Sequence, residues 1–208
     1  MTDSAREALI LRGIRLSYVT IAYNSLEAIV SLVSGVMAGS VALVGFGVDS
    51  AIEVTASGAA QWRLRSDSNE TRRGQAELTT LRIVGACFIA LAAYVIADSA
   101  KTLWLREAPN RSASGIAVLT MSIIVMPLLA RSKRRVADKL GSGALRAEAK
   151  QTSLCAYLSV IALCGVLLNS VLGWWWADPV AALAMTPIIF REGLEGVRGD
   201  KCVDDCCS

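Results

Sequence analysis

Residues 41–62 read VALVGFGVDSAIEVTASGAAQW, an apolar run of bilayer-spanning length with Asp49 and Glu53 in its middle. About 20 predominantly apolar residues cross the hydrocarbon core as a helix. An ionisable side chain at the membrane centre costs about 2.5–3.5 kcal/mol on insertion scales, so two on one helix call for compensation. At a spacing of four they leave the same helix face, with Cβ atoms about 5–6 Å apart. Two carboxylates side by side in a low dielectric repel unless a cation or a proton stands between them. The sharper reading is therefore a cation site. The plainer one is a pair of structurally hydrogen-bonded groups inside a bundle.

Working outward, the 208-residue chain is 54% hydrophobic and only 19% charged. Soluble domains run about 45–50% apolar and about 25% charged. The excess is gathered in segments, which predicts a polytopic, all-α membrane protein. The first ten residues hold acids and bases and no apolar run before a small-residue cleavage site, so no removable signal peptide is expected. The chain has no histidine, which removes the commonest metal ligand and the usual near-neutral proton acceptor. Metal or proton chemistry then falls to carboxylates, amides and thiols. Of six cysteines, Cys87, Cys155 and Cys164 lie in apolar segments and Cys202, Cys206 and Cys207 crowd the end. No spacing matches a disulfide framework or a pair of CxxC knuckles. Cys87 and Cys164 read as small buried hydrophobes.

Six spans emerge: 16–37, 41–62, 83–105, 113–130, 152–173 and 174–190, the fourth and sixth short. Only Ala38-Gly39-Ser40 separates the first two, forcing an antiparallel hairpin. Trp174, Trp175 and Trp176 suit the interfacial aromatic belt. Small residues (Ser31, Ser34, Gly35, Gly45, Gly47, Ala56, Ser57, Gly58) allow close helix approach. The expected organisation is an N-terminal segment 1–15, a six-helix transport domain 16–190 and a short tail 191–208. Arg63, Arg65, Arg72, Arg73 and Arg82 follow the second span, and Arg131, Lys133, Arg134, Arg135, Lys139, Arg146 and Lys150 follow the fourth. The loop between the third and fourth spans has only Lys101, Arg106 and Arg111. The positive-inside rule places both basic loops, and so both termini, in the cytoplasm of a bacterial inner or plasma membrane. These runs also suit anionic lipid; alternating with spans and lacking interleaved aromatics, they are not nucleic-acid patches.

Every polar group inside a span needs an account. Asn24 and Glu27 share a face of the first helix, Asp49 and Glu53 of the second, Gln151 and Cys155 of the fifth. Bundles build metal sites from helices that each project donors toward a common axis. Oxygen and thiolate donors suit a four-coordinate site, most often for Zn²⁺. A lone Gln-x-x-x-Cys is as readily packing plus a backbone hydrogen bond. Asp98 and Lys101 read as an ion pair at the rim of the third span, and Asp178 before Pro179 as the cap of the sixth helix.

The residues at 39–43, Gly-Ser-Val-Ala-Leu, with Val48-Asp49-Ser50 and an acid at 53, resemble the second-helix motif of the cation diffusion facilitator (cation efflux) family. Leu145-Arg146-Ala147-Glu148, with Gln151 and Cys155, is similar to that family's Arg-Ala-Asp run and fifth-helix ligand pair. Trp176-Ala177-Asp178-Pro179 resembles the opening of its sixth helix with one residue fewer, and Asn24 matches a frequent first-helix Asn. The resemblance spans roughly 12–196. It implies a six-helix homodimeric exporter of divalent metal, mostly Zn²⁺, exchanging the ion for protons by alternating access. No enzyme and no prosthetic group is expected; the partners are lipid, the metal ion and protons.

The implied tetrahedron is Asp49, Glu53, Gln151 and Cys155. Glu for Asp is a mild change. Gln151 offers a neutral amide oxygen, a poor zinc ligand, and Cys155 a soft donor favouring Zn²⁺, Cd²⁺ or another thiophilic ion over Mn²⁺ or Mg²⁺. Asn24 and Glu27 form a candidate additional metal or proton site, and Glu27 is an alternative to Gln151 as fourth ligand. The family's cytoplasmic domain has no counterpart in the 18 residues after the sixth span, too few for a core. Cys202, Asp204, Asp205, Cys206 and Cys207 read either as a metal-loading tail or as an incidental end. Two other classes stay open: a membrane metal sensor that binds without transporting, which Gln151 favours, and a scaffold that kept the bundle without the chemistry.

Overall fold

Polar residues on α1 (Asp3–Ala38) face inward and its large apolar ones outward. Ser17, Thr20, Asn24, Glu27, Ser31 and Ser34 are buried, at the three-and-four spacing of one helix face, while Leu26, Ile29, Val33, Val36 and Met37 are exposed. Such a helix has the inverse of a soluble amphipathic pattern, and it fits a bundle whose surroundings are apolar. The computed structural model describes residues 3–66, 70–140 and 143–198. They form five further helices: α2 (Val41–Ser66), α3 (Glu70–Leu105), α4 (Ala113–Leu140), α5 (Gly143–Leu172) and α6 (Ala177–Arg198). Stretches of α1, α3, α4 and α5 are each long and apolar enough to cross a membrane. The tail positions 202 and 204–207 lie outside the described residues.

The expected hairpin between the first two helices is present. Gly39 adopts φ +66°, a left-handed conformation that glycine enters without a Cβ penalty. Ser40 N–H then donates to Gly35 O at 3.0 Å, closing the end of α1. The helices cross on glycines: a Cβ at Gly35 would lie 2.8 Å from Val44 N, and one at Gly47 2.9 Å from Leu32 N. α3 packs chiefly on α6, and α4 on α5. At the α3–α6 crossing a Cβ on Gly85 would stand 2.7 Å from Gly193 O. The small-residue contacts expected of membrane helices are thus realised pairwise. The apolar core runs between them through Leu43, Phe46, Phe88, Leu119, Met126 and Met185.

Several expectations need correction. The sixth helix begins at Ala177, because Trp174–Trp176 form a turn in which the rings of Trp174 and Trp176 stack at 5.2 Å. The fourth helix is not short: it continues through Pro127 to Leu140. Cys87 and Cys164 are exposed on the outside of the bundle rather than buried. Asp98 accepts a hydrogen bond from Tyr94 Oη at 3.1 Å, one helical turn away, in place of the expected pairing with Lys101.

Asp178 caps a helix, but not its own. Its carboxylate accepts from Ser40 Oγ and from Val41 N at 2.9 Å. Ser40 Oγ in turn accepts from Leu43 N at 3.2 Å. A buried acid on α6 therefore satisfies the free N–H groups at the start of α2, where the helix dipole favours negative charge. This joint fixes α2 in register against α6. Asp178→Ala should lower the thermal unfolding midpoint in detergent markedly, because orphaning charge-assisted bonds costs about 1.5–3 kcal/mol. Asp178→Asn, which keeps an acceptor, should fall between the variant and the wild type. Equal midpoints for all three would remove the joint from any structural role.

Candidate metal centre

Asp49 and Glu53 stand one turn apart on α2, and Cys155 reaches them from α5. One ligand atom from each of the three lies within 4.8 Å of the other two, and all three residues are buried. An ion bonded at about 2.0–2.3 Å draws tetrahedral donors to roughly 3.3–3.8 Å apart, so a contraction of about 1 Å closes the set. Beside them is a cavity of about 10 Å³, close to the volume one water-sized occupant needs. Gln151 lines it together with Asp49, Glu53 and Cys155. The four residues that the family resemblance implies thus converge on one ion-sized space.

Neighbouring groups orient the acids. Asn24 Nδ2 donates to Glu53 Oε2 at 2.8 Å. Ser50 Oγ donates to Glu27 Oε2 at 3.0 Å, and Cys155 Sγ donates to the same oxygen at 3.8 Å. Glu27 therefore meets the cluster through Cys155, on a side that the cavity does not reach. Its other oxygen, Oε1, is buried without a hydrogen-bond partner, as is Asn24 Oδ1. Carboxylates fixed through one oxygen by a donor, with the second free, are typical of the shell around a bound metal. Chemically the cluster supplies two carboxylates and a thiol, enough anionic charge for a dication, with a soft donor included.

Three features of this region were not anticipated. Glu192 on α6 lines the cavity with Ile188 and Ile189. It shares their face at spacings of four and three, a signal the sequence carries just beyond the expected end of the sixth span. Lys133, counted only as part of a basic loop, is 1% exposed. Its Nζ lies 3.2 Å from Glu148 and 3.4 Å from Thr152 Oγ1, and Ser17 Oγ donates to Glu148 at 2.8 Å. This network ties α1, α4 and α5 together at the end of the bundle that carries the basic residues, hereafter the basic end. Glu148 precedes Cys155 by seven residues, about 10 Å along the helix axis. The buried serines of α1 are the third feature, legible only as a spacing.

Comparison with known proteins places these residues in a wider pattern. The profile of the cation efflux transmembrane domain matches residues 17–198. The chain is 31% identical over 171 residues to magnetosome protein MamB of Paramagnetospirillum magneticum, covering 78% of this chain and 57% of that protein. It is 30% identical over 169 residues to magnetosome protein MamB of Magnetospirillum gryphiswaldense, covering 77% and 56%. An uncharacterized transporter of Synechocystis, sll1263, is 30% identical over 154 residues, covering 71% and 49%. The chain spans about half the length of these curated relatives.

Replacing Cys155 by Ser should abolish the near-ultraviolet thiolate-to-metal band of the Co²⁺-loaded protein. Cd²⁺ affinity should fall by about tenfold or more, about 1.4 kcal/mol, with Mn²⁺ affinity much less affected. A Co²⁺ spectrum identical in the two proteins would mean that the thiol is not a ligand.

Proposed function

Because this chain belongs to the cation efflux family, a family of transporters and not of enzymes, we propose that it exports a thiophilic divalent cation across the membrane. Zn²⁺ is the first choice of cargo and Cd²⁺ the next. The observation that carries this reading is the buried Asp49–Glu53–Cys155 cluster against an ion-sized cavity. Carboxylate oxygens alone would suit Mg²⁺ or Mn²⁺ as well, and the thiol is what tilts selection toward softer ions. By the positive-inside rule the basic end is cytoplasmic, so the ion loads from the cytoplasm and leaves at the end where Gly39 and Trp174 lie. The family resemblance adds a homodimer as the working unit.

Alternating access supplies the mechanism. The loaded ion neutralises Asp49 and Glu53, the bundle rocks, and the ion is released outward. Two empty carboxyls in a low-dielectric interior cannot both stay ionised, so protons replace the ion for the return. A ligating thiol must also give up its proton. Metal binding then releases protons, and the sign follows: protons compete for the same donors, so apparent affinity weakens as pH falls from 8 to 5.5. The rival reading, a sensor that binds without transporting, is favoured by Gln151, whose neutral amide makes one corner of the site weak.

Zn²⁺ and Cd²⁺ flux into proteoliposomes across a pH gradient separates these readings. Export predicts gradient-dependent flux in the wild type and at least about a tenfold loss in Asp49→Ala, with proton counter-movement in step. Binding that depends on Asp49 without flux would establish the sensor. Absence of both would leave a scaffold.

A further inference from the structure

We propose that the metal centre holds two successive ion positions, both using Asp49, Glu53 and Cys155. An entry position is completed by Gln151 on the cavity side. An inner position is completed by Glu27 on α1, from which the ion departs along the buried polar face of that helix. The proposal rests on the transport reading above and specifies its route.

The two sides of the cluster differ in structure. Toward α5 and α6 there is open space, with Gln151 and Glu192 on its wall. No residue of α1 lines that space, yet Glu27 Oε1, Asn24 Oδ1 and, one turn beyond Glu27, Ser31 Oγ are all buried with no hydrogen-bond partner in range, the Ser122 hydroxyl of α4 only approaching the Glu27 carboxylate. A buried polar atom left without a partner costs about 1–3 kcal/mol, and three of them along one face of one helix mark a lane that is satisfied only when something polar passes. Further along the same face Ser34 Oγ lies 2.7 Å from Ser114 Oγ on α4, near the end opposite the basic one. The polar lane therefore leads away from the cytoplasmic side.

Lys133 explains why entry does not use this lane. Its ammonium, buried and joined to Glu148 beside Ser17, occupies the contact among α1, α4 and α5 at the basic end. Glu148 is already paired there, so no free anionic donor meets a dication arriving from that side. The cavity side, with the Glu192 carboxylate on its wall, is the route left for a cation. Once Cys155 Sγ turns to the ion, its hydrogen bond to Glu27 is released. Glu27 Oε2 stays held by Ser50, and Oε1 is free to exchange for the Gln151 amide oxygen. Moving from a neutral to an anionic fourth donor draws the ion inward.

The test compares Zn²⁺ flux and equilibrium Zn²⁺ binding in the wild type, Gln151→Ala, Glu27→Gln, Ser31→Ala and the Glu27→Gln/Gln151→Ala pair. Either single loss leaves one complete position, so affinity in each single variant should stay within about threefold of wild type, and only the pair should lose about tenfold or more. Flux separates the two sites: Gln151→Ala acts mainly by raising KM, whereas Glu27→Gln cuts turnover about tenfold. Ser31→Ala removes no hydrogen bond, so its several-fold loss of turnover is read beside an unchanged thermal unfolding midpoint, which excludes a folding explanation. Full turnover in Glu27→Gln and Ser31→Ala would overturn the inner position. So would loss of Zn²⁺ binding in Glu27→Gln as complete as in Asp49→Asn, which would mean a single site. Wild-type protein without flux would instead refute the transport reading itself.

Discussion

Three buried carboxyls, Glu27, Asp49 and Glu53, meet near the centre of the bundle, and the one buried ammonium among the described residues, Lys133, is already given to Glu148. That imbalance is the constraint from which the rest of the molecule follows. Charge of one sign is tolerated in an apolar surround only when partners or a mobile ion answer it. Here the partners are few and specific: Asn24 for Glu53, Ser50 and the Cys155 thiol for Glu27. Neither α1, α2 nor α5 can shift by a residue without separating one of these pairs, because every pair joins two of these helices. The polar centre therefore dictates register across α1, α2 and α5, and the apolar contacts fill in around it.

Holding that centre requires helix ends that do not drift. The start of α2 is anchored by an acid 138 positions later in the chain, Asp178 on α6, and the hairpin turn at Gly39 is sealed by its own backbone. At the other end the Lys133–Glu148–Ser17 network joins three helices. A buried ion pair of this kind is weak evidence for stability, since desolvation offsets most of its attraction. Its location is more telling than its energy: it joins α1, α4 and α5 at the basic end. Between the two anchors the closest helix crossings fall on glycines, at Gly35, Gly47 and Gly85, with the large apolar side chains of the core filling the space around them.

The outline was legible because membrane physics writes it plainly. Long apolar runs pointed to the helices, and an acid pair inside one of them pointed to the candidate site. Cys155 joined Asp49 and Glu53 as the family resemblance implied, and the chain does belong to the cation efflux family. What was not legible depended on distant pairing. Asp178 sits beside a proline at the head of a helix, where a self-cap is the local expectation; only the fold brings Ser40 to it. Lys133 lies among Arg131, Arg134 and Arg135, and nothing local says that one of these four turns inward. The serine face of α1 was visible as a spacing, yet serine is common in membrane helices, so the pattern acquires meaning only once the side chains are seen unbonded inside the bundle. Cys87 and Cys164 failed for the opposite reason: a small apolar residue on a helix bathed in lipid has no need to be inside.

Asp49 and Glu53 are on α2, whereas α5 contributes a thiol and a neutral amide, Cys155 and Gln151. The acidic charge that α5 lacks at the cavity is present on α1, at Glu27. This relocation changes the mechanics of the site. An ion held by α2 and α5 alone is released when those two helices part. With Glu27 in contact with Cys155, movement of α1 against α5 also alters the donor set, and α1 is packed on both α2 and α4. Under the transport route proposed above, the first helix acts as part of the gate as well as part of the wall. Its outward face is apolar, while its inward face carries both bonded groups (Ser17, Asn24 Nδ2, Ser34) and unbonded oxygens (Asn24 Oδ1, Glu27 Oε1, Ser31 Oγ), so a change of position trades one set of pairings for another.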